Sequence, residues 1–252
     1  MSPRESERAA ALLLEARANR RWLSSLPDAC RPRDVGEAYE IQQRVASRLG
    51  GPIRAWKVGA GSPTAEPAYA AITDRTLFES GVTLPRAMFN IVGLEAEIAF
   101  RFGQNLPAGR SYTKEEVLAA IESVHPAIEI SDTRFTEWAS QDRASHVADQ
   151  LNHGALIIGA GDRNWRRIDP AKQRARIAVG KDTVADATGK NPAGDLFRLL
   201  HWLVNQGAAA EGGIKVGAIV TTGSLTGVSF VKPPVYAIAD LPGLGAVHVS
   251  VA

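Results

Sequence analysis

The chain has 252 residues, a net charge of +2 and 45% hydrophobic residues. This composition excludes a globally disordered chain, and the scattered charge excludes the basic, aromatic-laced footprint of a nucleic-acid binder. No run approaches the roughly 18 apolar residues of a membrane helix, and the opening stretch MSPRESERAAALLLEARANRRW has no secretion-type apolar core, so a cytoplasmic protein is expected. Cys30 is the only cysteine, which rules out an internal disulfide and fits a reducing compartment. It reads as a quiet neighbour of a helix start rather than a nucleophile. The length sits at the upper end for one core and suggests one domain with an N-terminal appendage.

Residues 3–25 place Ala10, Leu13, Leu14, Ala18 and Trp22 at helical spacing. Residues 34–49 repeat the pattern with Val35, Ala38, Ile41, Val45 and Leu49, with Asp34 as N-cap and Gly50-Gly51 as stop. Pro27 and Pro32 mark a linker between them, so residues 1–52 read as a two-helix N-terminal element. From residue 53 the texture changes. Short apolar runs at 53–58, 91–92, 94–102, 127–130, 154–159, 177–179, 216–222, 235–238 and 246–251 alternate with glycine and proline, which suggests a β-rich body over 53–252. Two helices interrupt it. One spans 113–123, opened by a Thr113/Glu116 capping box; the other spans 192–206, striped by Leu196, Leu199, Leu200 and Leu203. Strands with a few helices, rather than alternating βαβ units, make the class α+β.

Chemistry is concentrated at three places. In GLEAEIAFRF (93–102), Glu95 and Glu97 stand two apart on a strand and so share a face, opposite the apolar Ala96, Ile98, Phe100 and Phe102. Paired carboxylates repel unless they are solvated, one is protonated, or a cation lies between them. The pattern alone leaves a solvated outer face open. In HPAIEISDTRF (125–135), Glu129 is flanked by Ile128 and Ile130, and a carboxylate in so apolar a run needs a partner. Three carboxylates without a histidine or cysteine cluster suit Mg²⁺ or Mn²⁺; the lack of HExxH or CxxC disfavours zinc. Lys57 lies between Trp56 and Val58 before a glycine turn. It either snorkels outward or works in a site, where burial beside a metal is expected to lower its pKa. Ser62 follows the turn as a hydrogen-bond donor or as turn chemistry.

At this point the blocks WKVGAGS (56–62), LEAEIAF (94–100), PAIEISDTR (126–134), VADQLNHGALIIG (147–159), NPAGDLFRLLHWLVNQG (191–207), VGAIVTTGSLTG (216–227) and the GLGAVHVSV stretch after Asp240 occur in family order. The chain resembles the fumarylacetoacetate hydrolase superfamily, in its branch of 2-keto-4-pentenoate hydratases and 4-oxalocrotonate-type decarboxylases. The resemblance implies a distorted mixed β-sandwich roll preceded by helices. It implies Glu95, Glu97 and Glu129 as ligands of Mg²⁺ or Mn²⁺, Lys57 beside the substrate, and Ser62 and the Thr222–Ser224 turn around its carboxylate and 2-oxygen.

One stretch departs from the pattern. Where the family commonly has ADNASSG, this chain has ADQLNHG (148–154). Asp149 is kept and is assigned to catalysis with Lys57. Asn152 and His153 replace small serines and are expected at the rim of the distal pocket; with Ser62 and Ser224 at the head of the substrate they make up the expected substrate contacts. His153 reads either as a new acid or base or as a plain hydrogen-bonded histidine.

The activity implied is that of a metal-dependent lyase on a small 2-oxo acid or its enol, foremost hydration of a 2-hydroxypenta-2,4-dienoate. Alternatives are decarboxylation of 2-oxo-enedioates, acylpyruvate hydrolysis, or a non-catalytic metabolite-binding or partner subunit of the same fold. A homo-oligomer is expected, with a complex with a pathway enzyme as a further expectation. No nucleic-acid or membrane partner is expected.

Overall fold

Ser2 and Glu5 form a reciprocal capping box, which satisfies two otherwise orphaned backbone N–H groups and opens helix α1 (Pro3–Asn19). Helix α2 (Val35–Leu49) starts from the Asp34 side chain and ends at Gly50, whose φ of 75° is left-handed. A computed structural model describes all 252 residues. In chain order the body contains β1 (Ile53–Gly59), β2 (Ala68–Thr73), β3 (Leu77–Glu79), β4 (Thr83–Leu84), β5 (Val92–Phe102), β6 (Leu106–Pro107), α3 (Lys114–Ala119) and β7 (Ile121–Ser131). There follow α4 (Arg143–Ala148), β8 (His153–Ile158), β9 (Arg174–Val179), β10 (Asp182–Thr188), α5 (Leu196–Asn205), β11 (Gly213–Ile214), β12 (Ile219–Ser224), β13 (Ser229–Val231), β14 (Val235–Leu241) and β15 (Gly245–Val251). None of the helices is long and apolar enough to cross a membrane.

All but two of the strands form two curled sheets, and β6 and β11 pair as a separate two-stranded ribbon. One sheet runs β2-β1-β12-β5-β7-β8-β3, with β13 added on β5; the other runs β10-β9-β14-β15-β4. Pairing is antiparallel except for β1 with β12, β3 with β8 and β15 with β4. The period-two alternation decides which face is inside. Leu94, Ala96, Ile98 and Phe100 of β5 and Ile128 and Ile130 of β7 pack in one cluster with Ile177, Ala237, Ala239, Val247 and Val249 of the second sheet. Burying each of the larger side chains stabilises the fold by about 1.5–3 kcal/mol. The architecture is α+β, a sandwich of two curled sheets with helices on its flanks. Helices α1 and α2 share a second apolar cluster with Ala68, Phe135 and Val147 of the body.

Some elements differ from the sequence reading. Helix α1 stops at Asn19 because Arg20 turns left-handed (φ 55°), which leaves Trp22 outside it. Helix α3 ends at Ala119, and Ile121–Ser123, read as its last turn, begin β7 instead. Helix α5 begins at Leu196 behind an Asp195 cap, not at 192. The short α4, capped by Asp142, was not foreseen.

Between α4 and β8 three consecutive residues, Gln150, Leu151 and Asn152, have φ of 51°, 53° and 60°. Left-handed backbone costs an L-residue roughly 1–2 kcal/mol, so this turn must be held from outside. The Arg134 guanidinium holds it. It is buried, pairs through Nε with Asp149 Oδ1, and donates to the Asp149 carbonyl (2.8 Å) and the His153 carbonyl (2.9 Å). Asp149 Oδ2 accepts from the Arg134 N–H (3.1 Å) and the Thr133 hydroxyl (3.2 Å). Arg17 of α1 adds a bond to the His153 carbonyl (2.9 Å), so the N-terminal helix also braces the turn.

Asp149→Ala removes the hydrogen-bonded counter-charge of a buried guanidinium and leaves it only Asp132, 3.7 Å away, and urea denaturation should show a loss of about 3–5 kcal/mol. A loss below about 1 kcal/mol, typical of a surface pair, would mean that the pair does not hold the turn.

Candidate active site

Five adjacent strands carry the site, all on the sheet face turned away from the central core. Antiparallel pairing of β5 with β7 sets Glu95 directly opposite Glu129 and Glu97 opposite Ala127. Side chains directly opposite on paired strands stand about 4.5–5.5 Å apart at Cβ, so the register alone brings a third carboxylate to the Glu95/Glu97 pair. Ligand-capable oxygens of Glu95, Glu97 and Glu129 lie within 4.8 Å of one another. On the other side of β5, β12 pairs with it and β1 pairs with β12, with Lys57 opposite Thr221.

Each carboxylate has one oxygen tied to the protein. Glu95 Oε2 accepts from Ser131 Oγ (2.7 Å). Glu97 Oε2 accepts from the Thr221 hydroxyl and from the Gly223 N–H (3.0 Å). Glu129 Oε1 accepts from Lys57 Nζ (2.8 Å) and lies 3.2 Å from His153 Nδ1. Gly223 has φ of 85° at the register shift in β12, and that left-handed backbone lets its N–H turn toward Glu97. The remaining oxygens accept nothing, and Glu129 Oε2 is fully buried without any partner. A buried carboxylate oxygen without a donor is costly. Three donor-free carboxylate oxygens converging, that of Glu129 fully buried, make a hard donor set that fits a divalent cation with room for waters or substrate oxygens.

The electrostatics agree. Burial, then the other two carboxylates, holds Glu97 well above the usual carboxylate range. Burial foremost pushes Glu129 up to about 7 against the pull of Lys57. Burial alone would lower the Lys57 ammonium, but Glu129, Glu95 and Glu97 outweigh it, and Lys57 holds its proton more firmly than an ordinary lysine. With the three glutamates uncompensated, their charge exceeds the desolvation penalty at Lys57; the expected fall concerned a lysine beside a metal. Burial and the cations Lys57, Arg17 and Arg134 keep His153 uncharged.

Lys57, Glu95 and Glu97 floor a cavity of about 660 Å³, with Glu129 buried directly behind them. Its walls include Lys57, Glu95, Glu97, Ser131, Leu151, Asn152 and Ser224, and toward the outside Trp138, Arg143 and Lys190. Lys57, the glutamates, Asn152 and Ser224 thus come together as the sequence suggested. Three assignments are corrected. The Asp149 carboxylate is engaged by Arg134 and Thr133 and does not line the cavity, so it is not placed for catalysis. His153 is not at the rim, because the left-handed turn carries Leu151 and Asn152 to the cavity and sets His153 behind Glu129. The Ser62 hydroxyl accepts from the Ala65 N–H (3.0 Å) as turn chemistry and lies off the lining, although Gly59–Gly61 just before it belong to the lining.

The sequence reading missed Ser131, Thr221, Arg143, His146 and Lys190. Ser131 stands two residues after Glu129 and so on its face, a signal that was present. His146 sits on the unforeseen α4, lines the cavity, and is held below the ordinary histidine value by burial.

Comparison with known proteins follows this geometry. The sequence profile described as fumarylacetoacetate (FAA) hydrolase C-terminal matches residues 55–251. A 2-keto-4-pentenoate hydratase of Paraburkholderia xenovorans (strain LB400) is 26% identical, over 98% of this chain and 95% of that protein. A 2-hydroxyhexa-2,4-dienoate hydratase of Comamonas testosteroni is 28% identical over 84% of each. The structure of 4-oxalocrotonate decarboxylase from Pseudomonas putida G7, complexed with magnesium and adipate, superposes with a TM-score of 0.88 at 22% identity, over 100% of this chain and 99% of that one.

A group with a pKa of about 7, such as Glu129, is mostly protonated at pH 6 and mostly ionised at pH 8. A cation must displace that proton. Mn²⁺ affinity should therefore rise from pH 6 to pH 8, by up to about tenfold per unit for each proton released. Calorimetric titration in two buffers of different ionisation enthalpy counts the protons; a pH-independent affinity would contradict the assignment.

Proposed function

This chain belongs to the fumarylacetoacetate hydrolase family, and on that premise we propose that it is a divalent-metal-dependent lyase that hydrates a 2-hydroxypenta-2,4-dienoate-type substrate. The observation that carries the reading is the set of three converging carboxylates, Glu95 and Glu97 on the cavity lining and Glu129 buried just behind it, each with one oxygen committed to the protein and one left free. The hydratases similar over nearly the whole chain support it. Mg²⁺ or Mn²⁺, held by Glu95, Glu97 and Glu129, supplies the Lewis acid that draws charge onto the 2-oxygen of a 2-oxo acid.

The chain's own residues do the rest. Ser224 and Asn152 line the cavity and offer polar groups to the substrate. Lys57 carries a proton at Nζ, kept in place by Glu129 and by the Leu151 carbonyl (2.9 Å) at the crest of the left-handed turn. Its hold on that proton follows the charge of the three glutamates: as that charge is offset, the ammonium becomes a better acid, delivers the proton to C5 of the dienol and takes up the proton that leaves the 2-hydroxyl. Uncharged His146 lines the same cavity and accepts a proton from the water that adds at C4, then returns it to C3.

A second reading, decarboxylation of a 2-oxo-enedioate, is favoured by the mouth of the cavity. Arg143 and Lys190 stand there, and the only acidic residues on the lining are Glu95 and Glu97. Such a mouth suits a second carboxylate on the tail, and the adipate complex of the structurally similar decarboxylase is consistent with that. Assembly into a homo-oligomer is part of the proposal: Phe230 and Val216 are large apolar side chains left half exposed.

Turnover of 2-hydroxypenta-2,4-dienoate with Mg²⁺, read as loss of diene absorbance and abolished by a chelator, is the test of hydration. Lys57→Met should lower kcat by about 10²-fold or more without weakening Mn²⁺ binding; wild-type turnover would assign the proton to another group. Arg143→Gln should raise KM for a 2-oxo-enedioate and leave KM for the dienoate unchanged. CO₂ release from the enedioate, without hydration of the dienoate, would replace the first reading by the second.

A further inference from the structure

His153 is a fully buried imidazole outside the cavity that the proposed reaction does not use. Its ring spans two fixed oxygens: Nδ1 lies 3.2 Å from Glu129 Oε1, and Nε2 lies 2.9 Å from Thr76 Oγ1. The Thr76 hydroxyl makes no other hydrogen bond, and its backbone carbonyl is fixed by the Leu156 N–H (2.8 Å). An ionised Glu129 oxygen has no proton to give, so Nδ1 must carry the proton in that contact. Nε2 then meets the Thr76 hydroxyl, which can turn its own proton toward it. The result is a directed relay, Thr76 to His153 to Glu129.

The relay matters because of what a carboxylate does by itself. The terminal torsion of a glutamate is broad, and Lys57, at the end of a flexible arm, anchors Oε1 from one direction only. The rigid ring anchors the same oxygen from a second direction and fixes the carboxylate plane. Oε2 is thereby left as the one oxygen without a donor. We propose that His153, backed by Thr76, is a positioning residue that presents Glu129 Oε2 to a divalent cation. This rests on the reading of the three glutamates as a metal site. Carboxylates that ligate metals are in turn held by hydrogen-bonding partners, and loss of such a partner weakens binding by about 10–100-fold.

The test measures binding of Mn²⁺ alone, as free Mn²⁺ by paramagnetic resonance, to the wild-type full chain and three variants. His153→Phe keeps the ring volume without a donor and should weaken Mn²⁺ binding about tenfold or more. His153→Asn places an amide N–H close to where Nδ1 stands and should stay within about threefold of wild type. Thr76→Val removes the hydroxyl behind the ring at nearly constant shape and should weaken binding in the same direction as His153→Phe. Equal losses in His153→Phe and His153→Asn would make the residue a space-filler and overturn the inference. So would wild-type affinity in His153→Phe or, if that variant does not fold, in Thr76→Val. Absence of Mn²⁺ binding by the wild type would overturn the metal reading itself, and this inference with it.

Discussion

Three carboxylates within 4.8 Å of one another, two of them buried, is the constraint on which the rest of the molecule turns. Fully ionised, they carry −3. Lys57 returns +1 and His153, uncharged, returns nothing, so the floor of the cavity stands at −2 before anything binds. In a medium of low dielectric that deficit is not sustainable by hydrogen bonds alone, and Glu97 and Glu129 accordingly hold protons more firmly than an exposed glutamate. The protein satisfies one oxygen of each carboxylate through Ser131, Thr221, the Gly223 N–H, Lys57 and His153 and leaves the others bare. A divalent cation has the charge and the hardness to complete such a set.

Holding these groups in register requires both the sheet and something beyond it. The order β1-β12-β5-β7-β8 sets the acid, the donors and the carboxylates on consecutive strands. Strand pairing does not by itself orient Lys57; its second anchor is the Leu151 carbonyl, on a left-handed turn that no local preference favours. That turn is held by Arg134, Asp149 and Arg17. Arg17 belongs to α1, so the N-terminal helices are energetically part of the site although they contribute no residue to its lining.

This division explains what the sequence could reveal. Glu95 and Glu97 were legible because strand alternation is a rule of period two, and Asp34, Thr113 and Glu116 were legible because capping is local chemistry. That Glu129 joins the pair depended on the β5–β7 register, which local pattern does not encode; there the resemblance to known relatives supplied it. Asp149 and His153 were misplaced for one reason. Their directions depend on three consecutive left-handed residues, none of them glycine, and in Gln-Leu-Asn only Asn152 has a local preference for that conformation. Short α4 failed as a helix prediction because six residues offer too little periodicity, and His146 was lost with it.

The arrangement also separates what is common among substrates from what differs. Under the proposed reading, the floor sees only the carboxylate and 2-oxygen of a 2-oxo acid, whatever tail follows. Every group there is committed twice, to a neighbour and to the site, so a change at Glu97 or Thr221 disturbs the charge balance of all three carboxylates. The mouth is different. Arg143 and Lys190 are exposed, and each can change without touching the floor. Residues 138–152, which carry Trp138, Arg143, His146 and Asn152 into the cavity, are bounded by Arg134 before and His153 after, both fixed in the buried network. Within those limits the segment can change its side chains while its ends stay in place. A fold built this way can trade one tail chemistry for another, a neutral diene for a dicarboxylate, without moving the atoms that hold the head of the substrate.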